Sequence, residues 1–566
     1  MEINYCKVTD KTILDSIKNR LIFSKIQNFQ PIYQDFFKLN ETNFNNIQFN
    51  SKYHLHSDAS NEHSDIWNIK NNKNNDLSKT KIFFKEAPLL NPFNYLMGKI
   101  ENNVLHHLPS LDNNPEVHDK IITRHNSSYT ESFFIYLSSK LLNEYNFVHG
   151  IEYYGSYLGI KENFKFDVYE DLDYLVKSNH FIDNKNKSFF IDEYEDIIQC
   201  ESNIIKKIPI EVTGDIENPE IYENFKETFE NIFNEEINEI KDEILQEIDI
   251  NFTENDSQYC SLKNVSLSSR SSCSSRTSYT SNGSDEDSCS GSETGSKSLC
   301  SDDDSSETVT SMGSSSTIKL NACIPFFPIN LICMEHFEGT LEDLIINDEL
   351  NEKKWFACLM QIIMNLLVYQ TAFSFTHNDL HTNNIMYKKT KRKFIYYKYD
   401  SKFYKVPTFG KIFSIIDFGR SIYKCKGNIY CSDAFDVGGD ANTQYNTEPF
   451  LNNSKPRLEP NYSFDLCRLA CSIFDFLVED IEDLESCKCS VTKLIVEWCS
   501  DDNNNNVLYK KNGDDRYPDF KLYKMIARRV NKHTPQLQLK RPSFQQYQID
   551  EIEIDTLIDI DHLKLI

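Results

Sequence analysis

Glycine is scarce in this chain, and the first of its 16 glycines is Gly98. A glycine-rich loop that lets the backbone approach phosphate groups is therefore excluded from residues 1–97. Basic residues are also in deficit, because 60 Lys and Arg stand against 86 Asp and Glu, for a net charge of −26. Contact with a nucleic-acid backbone needs clustered Lys and Arg, so this balance argues against DNA or RNA as the main partner.

Long apolar runs are missing as well. No uninterrupted run reaches the roughly 18 residues of a membrane-spanning helix. Residues 1–5 lack the basic and apolar regions of a secretory signal peptide. The 16 cysteines are scattered, and no two pairs of potential ligands have the spacing of a zinc finger. These features predict a cytoplasmic protein with reduced thiols and no membrane segment.

Composition divides the 566 residues into four regions. Residues 1–75, rich in Asn, Lys, Ile and aromatics, are predicted to form an N-terminal extension. Residues 76–160 combine strand-like and helix-like patterns and predict a small mixed lobe. Residues 161–322 are predicted to be a long insertion, acidic and helical in its middle, then Ser-rich and disordered over 261–316. Residues 323–566 predict a larger, mainly helical lobe.

Periodicity predicts several individual elements. Residues 81–86 are a strand candidate because their aromatic side chains suit a pleated surface. Residues 128–142 carry an apolar stripe at helical spacing. Residues 147–160, punctuated by three glycines, predict a pair of strands. Two aromatic runs, 394–399 and 403–406, predict a β-hairpin.

The most specific feature is a pair of motifs in the C-terminal half. The first is His-Asn-Asp-Leu-His-Thr-Asn-Asn at residues 377–384, and the second is Asp-Phe-Gly at residues 417–419, after an apolar strand. This order is typical of phosphotransferases, which need one base and two magnesium ligands. In that chemistry Asp379 accepts the proton of the attacking hydroxyl, while Asn384 and Asp417 hold magnesium.

These motifs resemble the eukaryotic protein kinase-like superfamily over about residues 80–160 and 325–480. The resemblance implies an α+β fold with a small β-rich N-lobe, a larger mainly helical C-lobe and the long insertion between. Lys85 matches the strand lysine that contacts the ATP phosphates, and Glu131 matches the helix glutamate that pairs with it. Asp465 resembles the aspartate that braces the catalytic loop through backbone N–H groups.

Residues 331–337 resemble the strand and hinge that border the adenine of ATP. The resemblance places Met334 at the back of the adenine pocket. It also implies that the backbone of Glu335, His336 and Phe337 bonds the adenine edge. ATP and Mg²⁺ are the cofactors implied.

Finer features narrow the resemblance. The hairpin between the two motifs and the Asp-Leu-His sequence of the loop resemble the haspin branch of kinases. The Asn- and Ile-rich composition resembles serine/threonine kinases of mimivirus-type giant viruses, which implies host cytoplasm or virion as location. The implied activity is transfer of the γ-phosphoryl group of ATP to Ser or Thr of a protein substrate. A monomer is expected, with the acidic, Ser-rich insertion available to recruit partners.

The chain also departs from the family pattern. No glycine-rich loop precedes Lys85, Asn378 stands where arginine is usual, and no Ala-Pro-Glu follows Gly419. His381 occupies the position of the lysine that usually steadies the transferring phosphate in Ser/Thr kinases. The missing glycines bear on nucleotide binding, and Asn378 argues against activation by a phosphorylated loop.

Two alternatives stay open. Small-molecule phosphotransferases resembling aminoglycoside or choline kinases share the His-x-Asp-Leu-His-x-x-Asn loop, although the hairpin and the Phe-Gly after Asp417 favour a protein kinase. A pseudokinase scaffold would explain the missing glycine loop. The presence of Lys85, Asp379, Asn384 and Asp417 argues against it.

Overall fold

The computed structural model describes residues 1–8, 12–58, 65–112, 115–192, 320–478 and 489–564, and within them the fold mixes helices and strands. The strands of this part are β1 (Tyr5–Lys7), β2 (Phe23–Gln27), β3 (Ile47–Phe49), β4 (Tyr53–Asp58), β5 (Ile66–Asn71), β6 (Leu77–Pro88), β7 (Tyr153–Asp167), β8 (Phe190–Ile191), β9 (Asn321–Glu335), β10 (Gly339–Thr340), β11 (Ile385–Lys389), β12 (Phe394–Tyr399), β13 (Lys402–Pro407), β14 (Lys411–Ile415), β15 (Ile422–Cys425), β16 (Asn428–Cys431), β17 (Gln548–Ile549) and β18 (Ile558–Asp559).

The α-helices of the same part are α1 (Thr12–Arg20), α2 (Pro92–Leu96), α3 (Asp119–Ile122), α4 (Ser127–Glu144), α5 (Leu172–Leu175), α6 (Asn179–Asn184), α7 (Leu341–Ile346), α8 (Glu352–Phe373), α9 (Phe464–Leu477), α10 (Ser490–Trp498), α11 (Lys521–Arg529), α12 (Pro535–Gln538), α13 (Pro542–Gln545) and α14 (Ile560–Leu563). A short 3₁₀ turn over Thr382–Asn384 closes the predicted catalytic loop.

One large sheet has the strand order β2-β7-β9-β6-β5-β4, with β8 also paired to β9. Strands β2, β4 and β5 come from the region predicted as an N-terminal extension, so this region contributes directly to the sheet. β7 and β9 are antiparallel neighbours, with Asp167 opposite Asn321. The residues between these two strands therefore form an insertion in the sheet, but it begins after Asp167 rather than at the predicted residue 161, because β7 continues through that position. Its acidic middle and its Ser-rich segment lie outside the described residues.

The prediction of two strands over residues 147–160 is wrong, because a single strand, β7, begins at Tyr153 and continues through the glycines. Gly155 has a φ of +133° where the register with β9 shifts, so it forms a bulge rather than a turn. At Gly159 a Cβ would lie 2.5 Å from the Phe23 ring of β2. This glycine serves the close packing of two strands.

Helix α4 confirms the helix predicted over 128–142. It begins after Asn126, whose side-chain oxygen accepts a hydrogen bond from the Ser128 N–H at 3.0 Å. Phe134 on this helix packs against Phe375 and Phe418, at ring-centroid distances of 4.4 and 4.6 Å. The helix is therefore fixed both to the sheet and to the segments that carry the two motifs.

Helix α8 is the central buried helix that leads into the first motif. Among the described residues, no other helix has the length and apolar composition of a membrane span, and 89% of its most apolar 18-residue window is buried inside the fold. This burial makes it a core helix. It ends at Ser374, whose left-handed φ of 50° turns the chain toward the motif.

The hairpin predicted between the motifs is confirmed. β12 and β13 pair from Phe394 opposite Pro407 to Tyr399 opposite Lys402, with β17 and β18 at their outer edges. The two turn residues, Asp400 and Ser401, both have positive φ, which matches the twist of a tight hairpin. Their backbone N–H groups donate to the Asp561 carboxylate at 2.9 Å each.

Candidate active site

The first motif is held by Asp465 of helix α9. One carboxylate oxygen of Asp465 accepts from the His377 N–H and the other from the Asn378 N–H, each at 2.9 Å. Asp465 is fully buried, and burial raises its pKa above the ordinary value despite these two bonds. The bracing role implied for Asp465 is thus matched by its contacts, and the loop is fixed to a core helix.

His377 connects the first motif with the second. Its Nδ1 accepts from the Asp379 N–H at 3.2 Å, so its Nε2 carries the proton and donates to the Ile416 carbonyl at 2.8 Å. Ile416 immediately precedes Asp417. The His377 ring therefore links the loop that carries the candidate base to the segment that carries the candidate metal ligand.

Asp379 is almost fully buried, and its carboxylate lies near Tyr523, Arg468 and Arg420. The Tyr523 hydroxyl donates to its Oδ1 at 2.7 Å, and the Arg468 Nε donates to that same hydroxyl at 2.9 Å. On the other side, Arg420 Nη1 lies 4.0 Å from Oδ2. Helix α11, far along the chain, thus positions one oxygen of the candidate base.

Lys85 lies between two carboxylates. Its Nζ is 2.6 Å from Glu131 Oε1 and 2.8 Å from Asp417 Oδ1. Glu131 Oε1 also accepts from the Phe418 N–H at 3.2 Å. Residues of strand β6, helix α4 and the second motif therefore meet at a single ammonium group.

Burial and charge compete in this triad. Burial alone would lower the pKa of Lys85, but the carboxylates of Asp417 and Glu131 raise it well above its usual range. Burial raises the pKa of Glu131 to about 7, against the opposing effect of Lys85. For Asp417 the ammonium of Lys85 outweighs burial, so its pKa is lowered. Asp417 is thus held as a carboxylate.

The residues predicted as metal ligands fit magnesium. Asp417 Oδ2 is buried and has no hydrogen-bond partner in the described part of the chain. Asn384 donates its Nδ2 to the Asp379 carbonyl at 3.0 Å, which leaves the amide oxygen as the atom that suits a cation. No cluster of three or more His, Cys, Asp or Glu at metal-binding spacing exists among the described residues. Magnesium needs no such cage when one or two carboxylates and phosphates bind it.

A cavity joins these groups. Lys85, Glu131, Asp379, Asp417 and Arg420 line it together with the start of helix α4 and residues 433–440. The described lining therefore contains the predicted base, one of the two predicted metal ligands and the lysine–glutamate pair. The loop over residues 433–440 also lines the cavity, and the sequence analysis did not predict this.

The predicted hinge residues lie outside that lining. Met334 is buried in the core at 4% exposure. The Glu335 N–H donates to the Glu152 carbonyl at 3.0 Å, and its carboxylate accepts from Lys388 at 3.0 Å. The Glu335 N–H is thus already bonded, and the adenine contact implied for the backbone of residues 335–337 stays a prediction.

Sequence reasoning missed Arg420, Arg468 and Tyr523. Arg420 directly follows the Asp-Phe-Gly motif, and this adjacency could have identified it. Arg468 lies one turn after Asp465 on α9, which offers a weaker hint. Tyr523 is 144 positions from its partner Asp379, and no local pattern indicates that contact.

Two comparisons with known proteins found no relative of this chain. No family model matches the chain, and no curated protein matches it significantly.

Proposed function

We propose that this chain is an ATP-dependent protein kinase that transfers the γ-phosphoryl group to a Ser or Thr hydroxyl of a protein substrate. The observation that carries the proposal is the meeting of Lys85, Glu131, Asp417 and Asp379 in one cavity. The lysine–glutamate pair and the Asp-Phe-Gly aspartate must both be in place for kinase chemistry.

The order of elements supports a kinase-like fold with two lobes. The lysine lies on strand β6, the glutamate further along the chain on helix α4, and the catalytic loop follows the long helix α8. This is the order in which the kinase signature residues occur along a chain. In this account the large sheet with α4 is the small lobe, and residues 339–564 supply most of the larger one.

The chain's own residues divide the chemistry as follows. Lys85, held by Glu131, binds and orients the ATP phosphates. Asp417 and Asn384 would hold magnesium, which neutralises charge on the β- and γ-phosphates when bound. Asp379 aligns the acceptor hydroxyl and takes its proton as the oxygen attacks the γ-phosphorus. The bond from that phosphorus to the bridging oxygen breaks, and ADP leaves with the electron pair.

A small-molecule phosphotransferase is the second candidate, and one observation favours it. The cavity lining also includes Asp433 and Asp440, carboxylates that suit a cationic acceptor such as an aminoglycoside. The extended hairpin β12–β13 favours the protein kinase instead. The two candidates share every step at Asp379 and differ only in the acceptor.

The test is thermal unfolding of the full chain with ATP and magnesium, because a ligand that binds the folded state must raise the melting temperature. We expect a clear upward shift that requires both ATP and magnesium. Labelled ATP is then supplied with generic Ser/Thr substrates or with an aminoglycoside panel, and the labelled product identifies the acceptor class. No shift with ATP and magnesium would refute both enzymes and leave a pseudokinase scaffold.

A further inference from the structure

Arg420 lies in the candidate active site, and the proposed function assigns no role to its side chain. Arg420 is 5% exposed and lines the cavity beside Lys85, Asp379 and Asp417. Its Nε and Nη1 are buried and have no hydrogen-bond partner in the described part of the chain. Buried charged donors are nearly always bonded, so these two atoms call for an acceptor that the described part of the chain does not provide.

The surroundings hold the guanidinium in place without satisfying it. Its Cζ lies 5.8 Å from the Phe520 ring centroid and 5.6 Å from that of Tyr523. Such ring contacts position a cation but leave the N–H groups unused. The nearest carboxylate oxygen, Oδ2 of Asp379, is 4.0 Å from Nη1, which is beyond hydrogen-bond length.

The catalytic loop offers no cation of its own for the phosphoryl group. Its residue 381 is a histidine whose Nε2 is buried without a hydrogen-bond partner among the described residues. Burial lowers the pKa of His381 to about 4, so the ring is neutral near pH 7. The charge that spreads over the transferring phosphoryl oxygens is therefore left to donors outside this loop.

We propose that Arg420 is a catalytic residue that donates hydrogen bonds to the oxygens of the transferring γ-phosphoryl group. The inference rests on the proposed function. The planar fork of arginine suits phosphate oxygens, and the candidate base lies beside it. Arg420 exchanges no proton in this step. The acceptor oxygen still forms a bond to the γ-phosphorus, and Asp379 still takes the proton from that oxygen. ADP still leaves with the electron pair of the broken bond.

The test compares Arg420→Met with the same change at Arg392, an exposed arginine on the turn before β12. Arg420→Met should lower kcat by about 10²-fold or more, with little change in the KM for ATP. Arg420→Lys keeps the charge without the fork and should lie between the wild type and Arg420→Met. Arg392→Met should match the wild type.

A binding measurement gives a readout apart from turnover. ADP, magnesium and aluminium fluoride together mimic the transferring phosphoryl group, so they should raise the melting temperature of the wild type more than ADP and magnesium do. Arg420→Met should lose this additional shift and keep the shift with ADP and magnesium. Its melting temperature without ligand should be unchanged or higher, because an unsatisfied buried cation has been removed.

The outcomes separate the two proposals. A wild type that shows no shift with ADP and magnesium and no turnover would overturn both the proposed function and this inference. A working wild type beside an Arg420→Met protein with full kcat and the full fluoride-dependent shift would overturn the role of Arg420 alone. If Arg420→Met has a much lower melting temperature without ligand and also shows no shift with ADP and magnesium, Arg420 is a structural residue. That result would also overturn its catalytic role.

Discussion

At the scale of single residues, the candidate base is positioned by a distant tyrosine. Tyr523 donates to Asp379 and accepts from Arg468, so one hydroxyl links a buried carboxylate to a buried guanidinium. The sequence predicted Asp379, Asn384, Asp417, Lys85 and Glu131 because fixed motifs carry them. It gave no hint of Tyr523, because a contact made through tertiary packing leaves no local pattern.

Tyr523→Phe tests this link. The ring is kept while the hydroxyl is lost, so Arg468 Nε loses an acceptor and Asp379 Oδ1 loses a donor. We expect the free energy of unfolding to fall by about 1–3 kcal/mol. We also expect kcat to fall by roughly tenfold, because the base is less well oriented. Urea unfolding and steady-state kinetics measure the two effects.

Tyr517→Phe is the matched control, since the Tyr517 hydroxyl also accepts from an arginine, Arg529, but near the surface at 3.1 Å. It should change neither quantity appreciably. A Tyr523→Phe protein with the stability and kcat of the wild type would show that the hydroxyl does not position Asp379.

At the scale of elements, helix α4 and the hairpin β12–β13 were predicted correctly because their periodicity is strong and local. The strand pair predicted over 147–160 failed because glycine in a strand can serve a bulge or close packing as well as a turn. His149, in the loop between α4 and β7, shows how the elements are joined. His149 donates from Nδ1 to the Phe413 carbonyl on β14, while its Nε2 accepts from the Tyr397 hydroxyl on β12, each at 2.6 Å.

This junction predicts a dependence of stability on pH. Burial lowers the pKa of His149 from 6.5 to about 4. Below about pH 6.5 the unfolded chain binds a proton at this residue and the folded chain does not, so stability is lost as pH falls toward 4. The loss is about 1.4 kcal/mol per pH unit for one such group and ends near pH 4, where both states are protonated.

Urea unfolding of wild type and His149→Gln between pH 7 and pH 4 measures this loss. The variant should be less stable at pH 7 because it loses packing, yet its stability should fall less steeply with acid. His562→Gln, at an exposed histidine, should keep the slope of the wild type. Equal slopes for His149→Gln and wild type would contradict the neutral, buried state of His149.

At the scale of the whole molecule, the candidate site is assembled across the insertion. Lys85 and Glu131 precede it, whereas Asp379 and Asp417 follow it, and 332 positions separate Lys85 from Asp417. Motif order predicted that these residues belong together. Their distances could not be predicted, because they depend on how α4, α8 and α9 pack. The pairing of β7 with β9 joins the two sides of the insertion. We expect the Ser-rich part of the intervening chain to contribute little to the stability of the fold.

Deletion of residues 261–316 tests that view. The segment is dominated by Ser with Asp, Glu and Gly, and offers few apolar side chains for a core. It lies outside the described residues. We expect the melting temperature of the deleted protein to match that of the full chain closely. A large drop in the thermal unfolding midpoint would show that the segment contributes to the fold.

The most direct test of the central claim is transfer of labelled γ-phosphate from ATP with magnesium, by the full chain and by Asp379→Asn in parallel. The substitution keeps the shape of the side chain and removes the base. We predict labelled protein with the wild type, and transfer lower by about 10²-fold or more with Asp379→Asn. Near-normal transfer by Asp379→Asn would contradict the assignment of Asp379 as the base, and no transfer by the wild type to any acceptor would contradict the proposed kinase.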